Sequence, residues 1–249
     1  MDNLPALAAP DFRAEISMLA RAYGRANGPL MGFVNRFGGG LEKQIAALPP
    51  RVRTELERVT HAALTAAMGA GDLAPDMGRR GTMVAAMVSG AAGGAGGLIT
   101  SLTELPITIT VILRAIQDEA RAAGFDPLEP SVRAACLMVF SAGTPLAADD
   151  GVNSGFLSAR LTLTGPALQK VIATVAPKLA AAMGQKLMAQ LVPVLGAASG
   201  AALNAAYLSY YREMARIRFA LMRLSVRHGA EEVVSAFAQA VLPPKIERA

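Results

Sequence analysis

The sequence predicts an all-α fold, a helical bundle whose central helices are glycine-rich and closely packed. Apolar residues recur at helical spacing along almost the whole chain, whereas alternating β-branched runs bounded by turns are nearly absent. Two long stretches, Gly81 to Thr103 and Leu187 to Tyr211, carry no charged side chain. Both place small residues four apart, at Gly90 and Gly94, Gly93 and Gly97, and Gly196 and Gly200, which brings bare backbone to one helix face. A glycine inside a water-facing helix costs about 1 kcal/mol relative to alanine. These positions therefore call for a close neighbour, either another helix or a membrane headgroup region.

A first helix is expected over about Asp11 to Gly24. A glycine-rich passage through Asn27, Gly28, Pro29 and Gly38 to Gly40 follows, then a brief helix ending at Pro49 and Pro50. Pro50 opens the next helix, in which Val52, Leu56, Val59 and Ala63 share one face and His61 points away. After the glycine-rich helix, Thr103 reads as an N-cap with Pro106 tolerated in the first turn, and this helix runs to about Ala123 before Gly124 stops it. The Phe125, Asp126, Pro127 turn leads to a helix from Pro130 to Ala142. Gly143 to Gly155 reads as a loop, and short helices resume through Pro166, Pro177 and Gly184. Pro193 should kink or start a helix in the second uncharged stretch.

The last long element carries the main electrostatic feature. Arg212, Arg216, Arg223 and Arg227 fall within about 60° of arc on an ideal helix. Tyr210, Met214, Ile217, Leu221 and Leu224 occupy the opposite side, giving a long basic amphipathic helix suited to an anionic lipid surface. No linker divides the chain. Residues 1–75 form an N-terminal helical region, 76–243 the helical core and 244–249 a tail, in one structural unit.

Composition limits the partners. With 53% hydrophobic and 17% charged residues, the chain lies between ordinary soluble proteins and integral membrane ones, although much of the excess is alanine. The net charge of +5 favours anionic partners wherever arginines cluster. One cysteine, Cys136, excludes an intramolecular disulfide and fits a reducing compartment, and the N-terminus lacks a basic segment followed by an apolar one. A cytoplasmic protein associated with the inner face of the cell membrane is expected. Thr82, Ser89, Thr100 and Ser101 dilute the first uncharged stretch, and Gln190, Ser199, Asn204 and Ser209 the second. That argues for a paired hairpin buried in protein or shallow in the interface rather than a full span. Nucleic acid is not an expected partner, because the chain has no tryptophan, 5% aromatics and no binding motif.

Candidate chemistry is sparse. Glu104 closes the first uncharged stretch and precedes an apolar run, so desolvation would raise its pKa and suit it to general acid or base work. The structural alternative places it in a helix first turn or beside an arginine. Arg114 and Asp118 suit a local ion pair. Asp149, Asp150 and Asn153 fit no metal loop, and two histidines, His61 and His228, are too few for most hydrolytic schemes. Cys136 has apolar neighbours and reads as a buried structural thiol. No metal site or cofactor motif is present, so no cofactor is expected.

The run from Ala92 to Asp118, containing Gly93-Gly94-Ala95-Gly96-Gly97 and Glu104-Leu105-Pro106, followed by Ala120, Gly124, Phe125 and Asp126, resembles the EcsC protein family. Val192 to Asn204, with Met214, Ala215, Phe219, His228 and Gly229, resembles the family's C-terminal signature. The resemblance implies a bacterial, hydrophobic, mostly helical protein, whose founding relative is encoded beside the subunits of an ABC transporter. It brings no agreed reaction or catalytic residues. The expected function is a membrane-associated, non-catalytic or lipid-contacting accessory protein, with a membrane surface or an ABC transporter as partner. Two alternatives stand beside it: a hydrolase of lipid or peptide using Glu104, and a soluble carrier holding an acyl chain.

Overall fold

A computed structural model describes residues 11–26, 49–69, 77–95, 97–140, 165–190 and 196–241. These residues form α1 (Phe12–Ala26), α2 (Pro50–Gly69), α3 (Gly78–Ala95), α4 (Gly97–Ala122), α5 (Pro130–Val139), α6 (Gly165–Gln190), α7 (Gly196–His228) and α8 (Ala230–Val241). The expected all-α bundle is what forms, with no strand among the described residues.

The first uncharged stretch is not one helix. It divides between α3 and α4, which run antiparallel as a tight hairpin: Arg79 faces Glu119 at the open end and Ser89 faces Glu104 further along. Near the turn the hydroxyls of Thr100 and Ser101 both donate to the Gly93 carbonyl, at 3.1 and 2.9 Å. The sequence-based start at Thr103 is therefore corrected to Gly97. Pro106 lies inside α4, where its ring removes one backbone bond without ending the helix, because packing on both neighbours outweighs the local preference. The same correction applies to α6, one continuous helix through Pro177 and Gly184 rather than several short ones.

The C-terminus of α4 follows the glycine rule. Gly124 has φ +89°, the Phe125 N–H donates to the Ala120 carbonyl at 3.0 Å and the Gly124 N–H to Arg121 at 2.9 Å, a Schellman closure. Asp11 begins α1 by accepting from the Arg13 N–H.

The long α7 packs along α3 and α4, α2 lies against α4 and α6, and α1 with α8 covers the C-terminal half of α7. Leu56 and Ala63 of α2 are buried while His61 is exposed, as their spacing predicts. Tyr210, Met214, Ile217, Leu221 and Leu224 are all buried on the inner face of α7. The expected glycine passage at 27–40, the loop at 143–155 with Asp149, Asp150 and Asn153, and the break at Pro193 lie outside the described residues.

Candidate functional site

A close approach of α3 to α7 organises the polar centre of the bundle. A Cβ added at Gly90 of α3 would lie 2.2 Å from the Gly200 carbonyl oxygen of α7 and 2.7 Å from Asn204. Only glycine allows that contact. It seats Asn204 deep between α3 and α4, where its side-chain N–H group lies 2.9 Å from the Ala86 carbonyl, 2.8 Å from Glu104 Oε1, 3.0 Å from Ser89 Oγ and 2.9 Å from Thr108 Oγ1. Gly93 serves the same centre, since its bare Cα leaves room for the Glu104 side chain.

Glu104 is the hub. Ser89 Oγ donates to its Oε1 at 3.0 Å, and the Thr108 hydroxyl donates to the same oxygen. Lys186 of α6 donates from Nζ to Oε2 at 2.7 Å and lies 3.4 Å from Thr108 Oγ1. Glu104 is 5% exposed and Lys186 0%, so four helices supply an ion pair closed off from water. Burial pushes the Glu104 carboxyl up, but Lys186 and the donated hydrogen bonds outweigh it and hold the group below the ordinary carboxylate range. Burial likewise pulls Lys186 down, with Glu104 opposing. A carboxylate held ionised in this way is a weak base and a poor proton donor. The arrangement fits a structural charge that fixes the register of the helices better than an acid or base awaiting substrate.

The sign of the pH dependence follows. Because Glu104 has a lower pKa folded than unfolded, its contribution to stability is present above the unfolded value near 4.5 and is lost as pH falls through the folded one. Urea midpoints measured from pH 7 to pH 3 should therefore fall more steeply for the wild type than for Glu104→Gln below about pH 4.5.

The four arginines of α7 do not share one environment. Arg212 is 7% exposed and turned inward beside Glu119, whereas Arg216, Arg223 and Arg227 are exposed. They share one arc of the helix by spacing, but Arg212 meets Glu119 of α4 and so leaves the solvent stripe. Arg216 forms a bidentate pair with Glu213, at 2.9 and 2.5 Å, and Arg223 and Arg227 lie 3.1 and 3.7 Å from Glu15 of α1. At the open end of the hairpin, Arg79 Nη2 and Arg212 Nε approach Glu119 Oε1 at 3.6 and 3.9 Å. Burial pushes the Glu119 carboxyl up, opposed by Arg79, Arg212 and Arg216.

Of the glycines singled out by spacing, the structure brings Gly90 to Gly200 and Gly93 to Glu104; Gly94 is half-buried. The side positions of Gly97 and Gly196 lie outside what is described. Cys136 is buried and its thiol is pushed up to about 12 by desolvation, as its apolar setting predicts. Arg114 reaches Asp118 at 3.6 Å, the expected local pair. Lys186, Asn204, Glu119 and Glu15 were not legible as site residues. One signal was available for Lys186 and Arg212: they border the second uncharged stretch as Glu104 borders the first.

Neither the curated proteins nor the solved structures contain a significant match to this chain. The model of the EcsC protein family matches residues 79–224, the span that contains the α3/α4 hairpin, the Glu104–Lys186 pair and most of α7. That match covers more than half of the sequence, and the chain belongs to the EcsC protein family.

Proposed function

We propose that this protein is a non-catalytic accessory factor that binds the cytoplasmic face of the cell membrane by laying the uncharged arm of its α3/α4 hairpin in the lipid interface. The observation that carries this reading is the distribution of exposed charge. From Gly81 through α4 to Leu113 the sole charged residue is the buried Glu104, and α7 has no charge from Gly196 to Tyr211. Along this uncharged arm Val84, Met87, Val88 and Ile107 are exposed. Val84, Met87 and Val88 follow helical spacing and form one stripe on α3. Arg79 and Arg80 bound it on the same helix, and Arg216 bounds it on α7.

The dimensions suit a shallow seat. From Gly81 to Ala95 at 1.5 Å per residue, the arm reaches about 21 Å, short of a bilayer core of about 30 Å. Among the described residues no helix is long and apolar enough to cross a membrane. Four half-exposed apolar side chains contribute about 1 kcal/mol each on burial, and arginines near an anionic leaflet add about 1 kcal/mol each before screening. Reversible, salt-sensitive binding follows from those magnitudes. The family resemblance supports an ABC transporter as the membrane partner.

The test is vesicle flotation with and without anionic lipid. The wild type should float with phosphatidylglycerol vesicles and far less with purely zwitterionic ones, and equal binding to both would remove the electrostatic part. Val88→Glu places a charge on the exposed stripe without touching the core, and should reduce flotation about tenfold or more. Unchanged flotation of that variant would exclude the α3 stripe as the seat.

A further inference from the structure

We propose that Arg79 and Arg212 form a binding site for a phosphate-class oxyanion at the open end of the α3/α4 hairpin, with Glu119 occupying the anion's place in the free protein. The two guanidinium groups of Arg79 and Arg212 approach the same carboxylate oxygen, Glu119 Oε1, at 3.6 and 3.9 Å. Both distances exceed a hydrogen bond, for which 2.7 to about 3.2 Å is normal. One carboxylate oxygen thus sits between two cations and bonds well to neither. A tetrahedral oxyanion offers more oxygens and more charge, and can bond both forks at once.

Arg212 supplies an independent observation. Its side chain is only 9% exposed, and its Nε has no hydrogen-bond partner among the described residues. A buried guanidinium donor left unsatisfied is costly, and an oxyanion between Arg79 and Arg212 would complete it. Beyond burial, the nearby positive charge of Arg79 disfavours charged Arg212 more than Glu119 favours it, so an anion between the two would relieve the repulsion.

The surroundings agree. Arg79 and Arg80 stand in the first turn of α3, which has no acidic residue, so side-chain charge and the positive end of the helix dipole add together. Arg114 and Arg121 meet Asp118, and Arg216 meets Glu213, leaving Glu119 as the nearest acid to both Arg79 and Arg212. Arg79 is 72% exposed, which opens the cluster to solvent, while Arg212 forms its floor.

The site lies where the uncharged arm stops, so a protein seated in the interface would meet lipid phosphates at this level. That source rests on the membrane reading; the site itself does not. Two experiments on the full chain separate them. Inorganic phosphate is titrated at constant ionic strength while the arginine Nε–H signals are followed by NMR, and phosphatidylglycerol vesicles are tested by flotation. The Arg212 Nε–H signal should shift saturably with phosphate. Arg79→Gln should weaken phosphate binding about fivefold or more, while Arg53→Gln, an equal loss of charge on α2, should not. Glu119→Gln should tighten binding several-fold, and Glu231→Gln, an equal change on α8, should leave it unaltered.

Val88→Glu should reduce flotation about tenfold or more and spare phosphate binding, which would show that the anion site and the membrane seat are separate. Phosphate binding without flotation of the wild type would sink the membrane seat and keep the anion site. A static Arg212 signal, or Glu231→Gln tightening binding as much as Glu119→Gln, would overturn the proposal.

Discussion

Lys186→Met is expected to destabilise the fold by about 3–5 kcal/mol, the range for removing one member of a buried ion pair. The side chain lies at 0% exposure with its ammonium 2.7 Å from Glu104, so methionine fills the apolar volume but leaves a carboxylate without its counter-charge. Asn204, Ser89 and Thr108 would still donate to that carboxylate, which is why the loss stays finite. Adding Glu104→Gln should recover most of it: glutamine keeps an acceptor oxygen for the three donors and no longer needs a cation. A double-mutant cycle by urea unfolding measures the pair, and a coupling energy above about 2 kcal/mol is expected for contacting residues in one network. A single Lys186→Met variant with unchanged midpoint would mean that the pair is not closed to water as the geometry implies.

Gly90→Ala should lower stability by about 2 kcal/mol. Alanine in place of a helical glycine gains about 1 kcal/mol from propensity alone. The added methyl, however, would sit 2.2 Å from a backbone oxygen of α7, an atom that cannot turn aside. Overpacking of this kind costs about 1–3 kcal/mol and occasionally more, and here separating α3 from α7 also withdraws Asn204 from Glu104. The net sign is therefore destabilising, contrary to the propensity scale. Thermal unfolding decides it, with Gly90→Ser as a second small substitution expected in the same direction. A rise in melting temperature for either variant would contradict the close approach.

Gly90 and the Glu104–Lys186 pair act on one polar centre. Glycine at 90 and 200 sets the distance between α3 and α7, and that distance lets an amide on α7 reach a carboxylate on α4 whose partner comes from α6. Fixing helix register by a buried polar group is a recognised use of such pairs. The one charge between Gly81 and Leu113 is thereby neutralised inside the bundle.

Much of this architecture was legible beforehand. Helical periodicity placed α2, α5 and the buried face of α7, and the glycine rule placed the end of α4. Small residues at four-residue spacing pointed to close backbone approach, and Gly90 with Gly200 provides it. The misplaced boundaries share one cause. Pro106 and Pro177 read as helix starts or breaks from local chemistry, yet both helices continue, since tertiary packing on neighbouring helices compensates one lost backbone bond. The division of the first uncharged stretch into a hairpin was also hidden, because Gly93, Gly94 and Gly97 suit either a packed helix or a corner.

By itself the sequence determined the fold class, the family, the uncharged segments and the angular position of the α7 arginines, all of which depend on spacing along a single element. Only the tertiary structure decided which charges neutralise each other. Lys186 finds Glu104 across 82 residues, and Arg212 turns inward to Glu119 while Arg216 on the next turn stays in water. The reason is physical: periodicity is set by backbone geometry within a helix, whereas burial of a charge is set by whichever helix comes to cover it.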